Sequence, residues 1–508
     1  MGGMAPDASR ERSTPSLAFR AAQRRGICLW LFALLLLCAA CSVGPRYSRP
    51  SAPIPPAYKE TPENWKLAQP ADQALKGNWW EIYQDPQLNA LEEKIAVSNQ
   101  SLKAAQEQFL QARAIVGENR SQYYPTATVG ASASRNRLSK NRPLLGATTD
   151  YTDLNLPVDV SYEFDVWGRV RRSVEAARAQ EQATASDVQS LSLSLHAELA
   201  MDYFSARALD AETELLHSTV KAYEKALQLT ENRFRGGVAS QVDVTQAETQ
   251  LETTRAQALD LGVQRAQYEH AIAVLTGEPA SAFTLPPAPL KAAPPVIPPG
   301  LPAQLLERRP DIASSERLIA AANAQIGIAR AAYFPSLTLN ASGGFEGTTI
   351  TNWLTGPSGF AAAGLSAVEL AFDGGRRRAV SDQARAAYHQ AVANYRGDVL
   401  TAFQEVEDNL AALRILEQEA STQDAAVRAA EHSLSLSNNR YRGGVANYLE
   451  VITAQSAALS DERAAVQISG RRMVDSVLLI KALGGGWAIS SLPTTTQNAP
   501  GKASPTGQ

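Results

Sequence analysis

The sequence predicts a mainly helical fold carrying four β-strands, laid out as two similar halves in tandem. Three observations lead there. The segment NRFRGGVASQVDV at 232–244 returns as NRYRGGVANYLEV at 439–451, a shift of 439−232 = 207 residues, with eight of thirteen positions identical. Two stretches of about 65 residues, 169–233 and 376–440, contain no proline. Residues 153–166 alternate apolar and polar side chains with period two, the pattern of a strand with one apolar face.

The N-terminus comes first. Arg10, Arg12, Arg20, Arg24 and Arg25 precede an apolar run from Ile27 to Leu37. This is the layout of a secretory signal, and the run is too short for a confident membrane-spanning helix. Ala39, Ala40 and Cys41 follow, and resemble the lipobox of bacterial lipoproteins, with Cys38 where leucine is usual. The expectation is a signal peptide over 1–40 and a lipid on Cys41. Cleavage would remove Cys28 and Cys38, so no disulfide could form. Residue 42 is Ser rather than Asp, which in Gram-negative lipoproteins implies export to the outer membrane.

Prolines divide the rest. A proline-rich strap covers 41–70 and a proline-rich linker, LPPAPLKAAPPVIPPGLP at 285–302, separates two structural repeats, 71–284 and 303–486. The tail 487–508 has a disordered composition. Helical composition covers about 86–121, 169–233, 241–276, 311–332, 376–440 and 448–482. A 65-residue helix would be about 100 Å long, a length at home in coiled coils and helical tubes.

Each repeat carries two strand candidates: 126–134 and 153–166 in the first, 336–345 and about 360–372 in the second. Leu154, Leu156, Val158, Val160, Tyr162, Phe164 and Val166 share one face, and Asp153, Asn155, Asp159, Ser161, Glu163 and Asp165 the other. Pro157 interrupts one ladder bond. Such strands suit a covered soluble sheet or a membrane barrel equally. Four cannot close a membrane barrel, for which about eight is the lower limit. An open edge in lipid leaves backbone groups unpaired at several kcal/mol each. A membrane-spanning version must therefore pool strands from two or three chains.

The repeated turns read as capped helical hairpins. Arg235-Gly236-Gly237-Val238 and Arg442-Gly443-Gly444-Val445 each end a long helix, with glycine supplying the left-handed residue and arginines favouring the helix dipole. Ser240 with Asp243, and Asn447 with Glu450, resemble capping boxes opening the next helix. Asp165 with Gly168, and Asp373 with Gly374 and Gly375, mark places where a strand becomes a helix, the aspartates as N-caps.

Composition narrows the function classes. A net charge of −3 offers no polybasic nucleic-acid surface. There is no phosphate loop and no GxSxG elbow, and the five histidines show no metal-ligand spacing. No catalytic constellation, metal site or cofactor is expected.

CSVGPRYSRP at 41–50, ERRPDIASSERLIAAANAQIGIARAAYFPSLTLNASGG at 307–344, FDGGRRR at 372–378 and both RGGVA turns resemble the TolC-like outer-membrane factors. The resemblance runs from about Cys41 to Gly485, and is strongest to the OprM/NodT-type lipoproteins of tripartite efflux systems. It implies a homotrimer whose four strands per protomer make a twelve-stranded outer-membrane β-barrel, above a long periplasmic α-helical barrel. It implies a periplasmic adaptor and an inner-membrane pump of the resistance–nodulation–division class as partners. The function implied is passive export of small molecules such as drugs. A type I secretion conduit and a non-transporting periplasmic coiled-coil scaffold are the alternatives. In the family the repeated turns are periplasmic tips that meet the adaptor and constrict the channel, making Asp243, Tyr441, Glu450 and Thr453 gate candidates. Thr453 stands where relatives often carry an aspartate, and Asp243 is the expected acceptor for the Tyr441 hydroxyl.

Overall fold

The computed structural model describes residues 43–60, 77–137, 150–290, 293–297, 305–306 and 308–485. The expected signal peptide, the expected lipid-attachment residue Cys41, the strap over 61–70, the linker over 298–302 and the tail over 487–508 lie outside the described residues.

Two helices lead in, α1 (Pro86–Ser98) and α2 (Gln100–Ser121). Asp85 caps α1 by accepting from the Gln87 and Leu88 amides, and Pro86 occupies the first helical position, where its missing N–H is not needed. Strands β1 (Thr126–Val129), β2 (Ser132–Arg137) and β3 (Asp150–Phe164) follow. Helix α3 (Arg169–Arg235) and α4 (Gln241–Leu275) form the first hairpin. The second half repeats the plan: α5 (Pro310–Ala331), β4 (Ser336–Gly347), β5 (Gly359–Val368), α6 (Arg376–Arg442) and α7 (Tyr448–Ala482). The long helices have 67 residues each, and their hairpin partners 35 each. The fourth strand stops at Val368, so 369–372, expected as strand, leaves the sheet.

The chain forms two compact units, and each draws on both repeats. One comprises Met1–Tyr47, Val116–Ala177 and Ala321–Tyr388; the other Ser48–Ile115, Arg178–Ala320 and His389–Gln508.

The first unit holds the sheet. It is an antiparallel meander, with β1 and β2 both on one side of β3, then β4, then β5. β1 and β2 are one strand in one register, since Val129 pairs with Val158 and Ser132 with Asn155. The break falls opposite Pro157. The Gly130 amide donates to the Pro157 carbonyl at 3.0 Å, but proline has no N–H to return. On its other side Pro157 pairs with Gly344, where an added Cβ would collide with the Leu156 carbonyl. A proline thus sits in a central strand, where it is rarely found, flanked by two glycines. Four strands result, as the alternation predicts, and the outer edges of β1–β2 and of β5 pair with no strand among the described residues.

The second unit has a tightly packed interior. Trp79, Leu88, Ile95, Leu199, Tyr203 and Phe204 are buried, and Tyr83 packs on Phe204 at 4.8 Å between ring centroids. Asp85 caps α1 through one oxygen and accepts from the Tyr203 hydroxyl at 2.6 Å through the other. Along this unit the strap 48–60 lies on α6, where the Glu407 carboxylate accepts from the consecutive amides of Lys59 and Glu60 at 2.7 and 3.0 Å.

Candidate functional site

Both hairpin turns close by the same hydrogen-bond pattern. Val238 donates to the Arg233 carbonyl at 2.8 Å and Gly237 to Phe234 at 2.9 Å; Val445 donates to Arg440 and Gly444 to Tyr441, both at 3.0 Å. These are Schellman motifs, in which the helix's last carbonyls are satisfied by two turn amides. The left-handed residue is the second glycine of each pair, Gly237 at φ 74° and Gly444 at φ 75°. Gly236 and Gly443 sit at the helix ends without a positive φ. Val238 and Val445 project into solvent, 69% and 71% exposed.

The two turns differ in how the next helix starts. Ser240 and Asp243 form the full capping box: the Ser240 hydroxyl accepts from the Asp243 amide at 3.2 Å, and the Asp243 carboxylate from the Ser240 amide at 2.9 Å. At the second turn only half is made. Asn447 accepts from the Glu450 amide at 3.2 Å, but the Glu450 carboxylate pairs with Arg440 at 3.0 Å, across the turn. The expected second box is thus replaced by an ion pair with Arg440, two residues before the helix end, whereas its counterpart Arg233 is engaged by Tyr441 and leaves Asp243 to its cap.

Tyr441 also departs from expectation. Asp243 is held by its own cap, and the buried Tyr441 hydroxyl has no hydrogen-bond partner among the described residues. The first hairpin instead reaches the second through Arg233. Its guanidinium lies 4.5 Å from the Tyr441 ring centroid and donates to the Tyr441 carbonyl at 2.9 Å. Tyr441, Tyr448, Val451 and Ala247 form a buried cluster there, with the two tyrosine rings 5.2 Å apart. Burial, with Tyr441 beside it, pushes the Tyr448 hydroxyl up to about 12. Thr453 is exposed and donates back to the Leu449 carbonyl at 2.9 Å.

At the strand-to-helix junctions the aspartates accept from the first helical amides but sit upstream of the N-cap positions expected for them, which Gly168 and Gly375 occupy. Asp165 accepts from the Val170 and Arg171 amides, both at 2.9 Å. Asp373 accepts from Gly375 at 3.0 Å and Arg377 at 3.1 Å. The Arg377 amide and guanidinium hold the Asp373 carboxyl below its usual range. The left-handed backbone falls on Gly168 (φ 82°) in one junction and on Gly374 and Gly375 (φ 63° and 91°) in the other.

The sheet register sorts the strands into two faces. One carries Ala127, Val129, Leu154, Leu156, Val158, Val160, Tyr162, Phe164, Leu337, Leu339, Ala341, Phe345, Ala361, Ala363, Leu365 and Ala367. The other carries mostly polar residues, Thr126, Thr128, Asn155, Asp159, Ser161, Glu163, Thr338, Asn340, Ser342 and Ser366, with Tyr151, Phe360, Ala362 and Val368 among them. Val129, Val158, Leu339 and Leu365 on the apolar face are exposed. Among the described residues no helix is long and apolar enough to cross a membrane.

Comparison with known proteins identifies a chain with these elements. The model of the outer membrane efflux protein family matches residues 91–278 and 301–485. The chain belongs to this family. The probable efflux pump outer membrane protein SepC of Pseudomonas putida is 34% identical over 477 residues, covering 92% of this chain and 98% of that protein. Outer membrane protein OprJ of Pseudomonas aeruginosa is 32% identical, covering 91% and 96%. Among solved structures, the outer-membrane channel OprN superposes with a TM-score of 0.81 at 29% identity, covering 88% of this chain and all of that one. The open state of the Neisseria gonorrhoeae MtrE outer membrane channel gives 0.76 at 28% identity, covering 88% and 99%. The fold is that of the TolC-like channels, and the chain is an outer-membrane efflux channel.

Sequence reasoning missed Arg233 as the link between hairpins and Arg440 as the partner of Glu450. Both arginines were visible only as favourable charges at a helix end. It also missed a buried pair, Glu92 and His196, bonded at 2.7 Å with Trp80 stacked 4.5 Å from the imidazole.

Proposed function

We propose that three copies of this chain form the exit duct of a tripartite efflux pump, anchored by lipid on Cys41 and closed at its periplasmic end by the hairpin turns. The observation that carries this reading is the four-strand sheet with one exposed apolar face and two unpaired edges. Three such sheets joined edge to edge give twelve strands, an apolar outer wall and a polar lumen. A single sheet in lipid would leave both edges unsatisfied. The duct itself supplies no energy; an inner-membrane pump of the resistance–nodulation–division class does, delivered through a periplasmic adaptor that docks on Arg235–Val238 and Arg442–Val445.

The gate works through the ties between and within hairpins. Arg233 on Tyr441 holds the first hairpin to the second, and Arg440 with Glu450 stiffens the second turn. Docking of the adaptor replaces these ties and lets the hairpins part like an iris. In the closed state Asp243 caps its helix and Glu450 is held by Arg440, and both become available to the pore as the hairpins move; Tyr441 is the hinge contact, and Thr453 lines the passage without charge.

The cargo is small and largely apolar. Relatives are named as outer membrane proteins of toluene, solvent and antibiotic efflux pumps. Deleting the gene and measuring susceptibility to solvents, dyes and antibiotics tests this directly. Restored resistance from the wild-type gene but not from a Cys41→Ala copy supports the anchored duct. An unchanged susceptibility panel in a strain that also lacks parallel channels would sink it.

A further inference from the structure

The sheet register places two arginines where the apolar face ends. Counting from the helix junction, the face begins at Phe164 paired with Leu337 and continues to Leu154 paired with Ala133 and Gly347. That is 164−154 = 10 residues, about 34 Å along a strand. At a tilt of about 45° the apolar band is about 24 Å tall, matching the band of about 25 Å found on membrane barrels. Aromatic side chains mark both limits. Trp167 stacks on Phe334 at 4.7 Å at the junction end, and its indole donates to the Pro335 carbonyl. At the far end Trp353 lies against Gly347, where an added Cβ would come within 3.3 Å of its Cα, and its indole donates to the Phe345 carbonyl at 3.2 Å. Tryptophan with an apolar body and a satisfied N–H is the side chain of the membrane interface.

The same face continues past Trp353 into charge. Arg135 pairs across the ladder with Thr152, two residues beyond Leu154, and Arg137 with Asp150, two further on. Alternation puts both arginines on the apolar side of the sheet, at and above the level of Trp353. Arg135 is exposed. Arg137 touches Asp150 with its Nε at 3.4 Å, a long contact with the arginine side chain 81% exposed. A charged side chain facing lipid is expensive at mid-membrane and cheap only near the interface. Two guanidiniums at this height therefore face headgroups. The outer leaflet of a Gram-negative outer membrane is lipopolysaccharide, whose sugar headgroup carries phosphates, and guanidinium is suited to bidentate phosphate binding.

We propose that Arg135 and Arg137 form a docking site on the outer wall for the phosphorylated headgroup of lipopolysaccharide. The site rests on the membrane-spanning reading of the sheet. Arg135 takes one phosphate directly, and Arg137 exchanges its weak contact with Asp150 for another. The occupied site would tie the first hairpin of strands, β2 and β3, to the outer leaflet. The second hairpin, β4 and β5, carries no cation on this face between Ser336 and Val368, so only one hairpin per protomer is tied.

The full-length protein, purified in non-ionic detergent and stripped of lipid, provides the test. Binding of bisphosphorylated lipid A is measured by native mass spectrometry, beside lipid A with both phosphates removed and inorganic phosphate alone. Wild type is expected to bind the bisphosphorylated form at least tenfold more tightly than the dephosphorylated form. Arg135→Gln with Arg137→Gln should lose that preference, Arg135→Lys with Arg137→Lys should keep part of it, and Asp150→Asn should strengthen it. Planar-bilayer conductance of the same preparations reports the spanning reading separately. Normal channels with undiminished lipid A preference in the glutamine variant would overturn the site and leave the spanning reading standing. Saturable binding of inorganic phosphate without lipid A preference would replace it with a plain anion site. A wild type that forms no channels would remove the spanning reading and this site together.

Discussion

Glu92 is fully buried and bonded to the Nδ1 of His196, and its second oxygen has no partner. Burial raises the Glu92 carboxyl well above its usual range and lowers His196 to about 4, so burial works against the charged form of both partners. The two groups pull stability in opposite directions. A raised carboxyl pKa means the folded state holds a proton the unfolded chain has released, so its contribution declines as pH rises above about 4.5. The lowered histidine pKa means its contribution declines as pH falls below about 6.5. Glu92→Gln removes only the first slope. The stability of this variant relative to wild type should therefore increase from pH 5 to pH 8 in chemical denaturation, and a decrease would show that the pair is ionised. Glu92→Ala leaves the imidazole without its partner and should lose about 1–3 kcal/mol. The glycine pairs give a second residue-scale contrast. Gly444→Ala forces a side chain to φ 75°, at about 1–2 kcal/mol, whereas Gly443→Ala only brings a methyl to 3.3 Å from the Asn439 carbonyl. Hydrogen exchange of the Val445 amide should quicken about tenfold in the first variant and much less in the second. Equal effects would count against the Schellman geometry.

At the scale of elements, the hairpins are held by side chains that local patterns do not reveal. Arg440→Ala frees Glu450 to complete its capping box, so the helix start should survive while the turn loosens. Planar-bilayer conductance of the closed channel is expected to rise, by more than for Asp243→Asn, whose carboxylate is spent on its own cap. Identical leak in both variants would leave Glu450 with a structural role alone. What the sequence made legible follows from interaction range. Strand alternation, caps three residues long and Arg-Gly-Gly stops are local; β4 starts where expected, while β3 runs over 150–164 rather than 153–166 and the junction aspartates sit upstream of the N-cap positions. The Glu450 partner lies ten residues back across a turn, so a motif of three could not disclose it. Arg233 meets Tyr441 208 residues away, and Glu92 meets His196 104 residues away. The end of β5 was blurred because Ala361, Ala363 and Ala367 contrast weakly with Ala362, Gly364 and Ser366. The row Gly130, Pro157, Gly344 is a further element-scale dependence. Gly344→Ala would press a methyl into the Leu156 carbonyl, and is expected to abolish heat-modifiable protein in outer-membrane fractions while leaving a cytoplasmic or periplasmic pool.

At the scale of the whole molecule, the proposed trimer requires the unpaired edge of β1–β2 on one chain to meet the edge of β5 on the next. Single cysteines scanned along these two edges, in a chain whose other cysteines are Cys28, Cys38 and Cys41, should give disulfide-linked dimers and trimers on mild oxidation of intact cells. A scan yielding only monomers would refute edge-to-edge assembly. The equal helix lengths carry a consequence beyond one chain. With 67 and 35 residues in both hairpins, and the same backbone closure at each turn, the proposed trimer would present six nearly equivalent knuckles on a threefold body. A docking protein that feels only backbone shape would perceive sixfold symmetry and could bind in six copies. One that senses whether the acid after the turn is spent on its own cap or on Arg440 would perceive two alternating kinds, and only three of each.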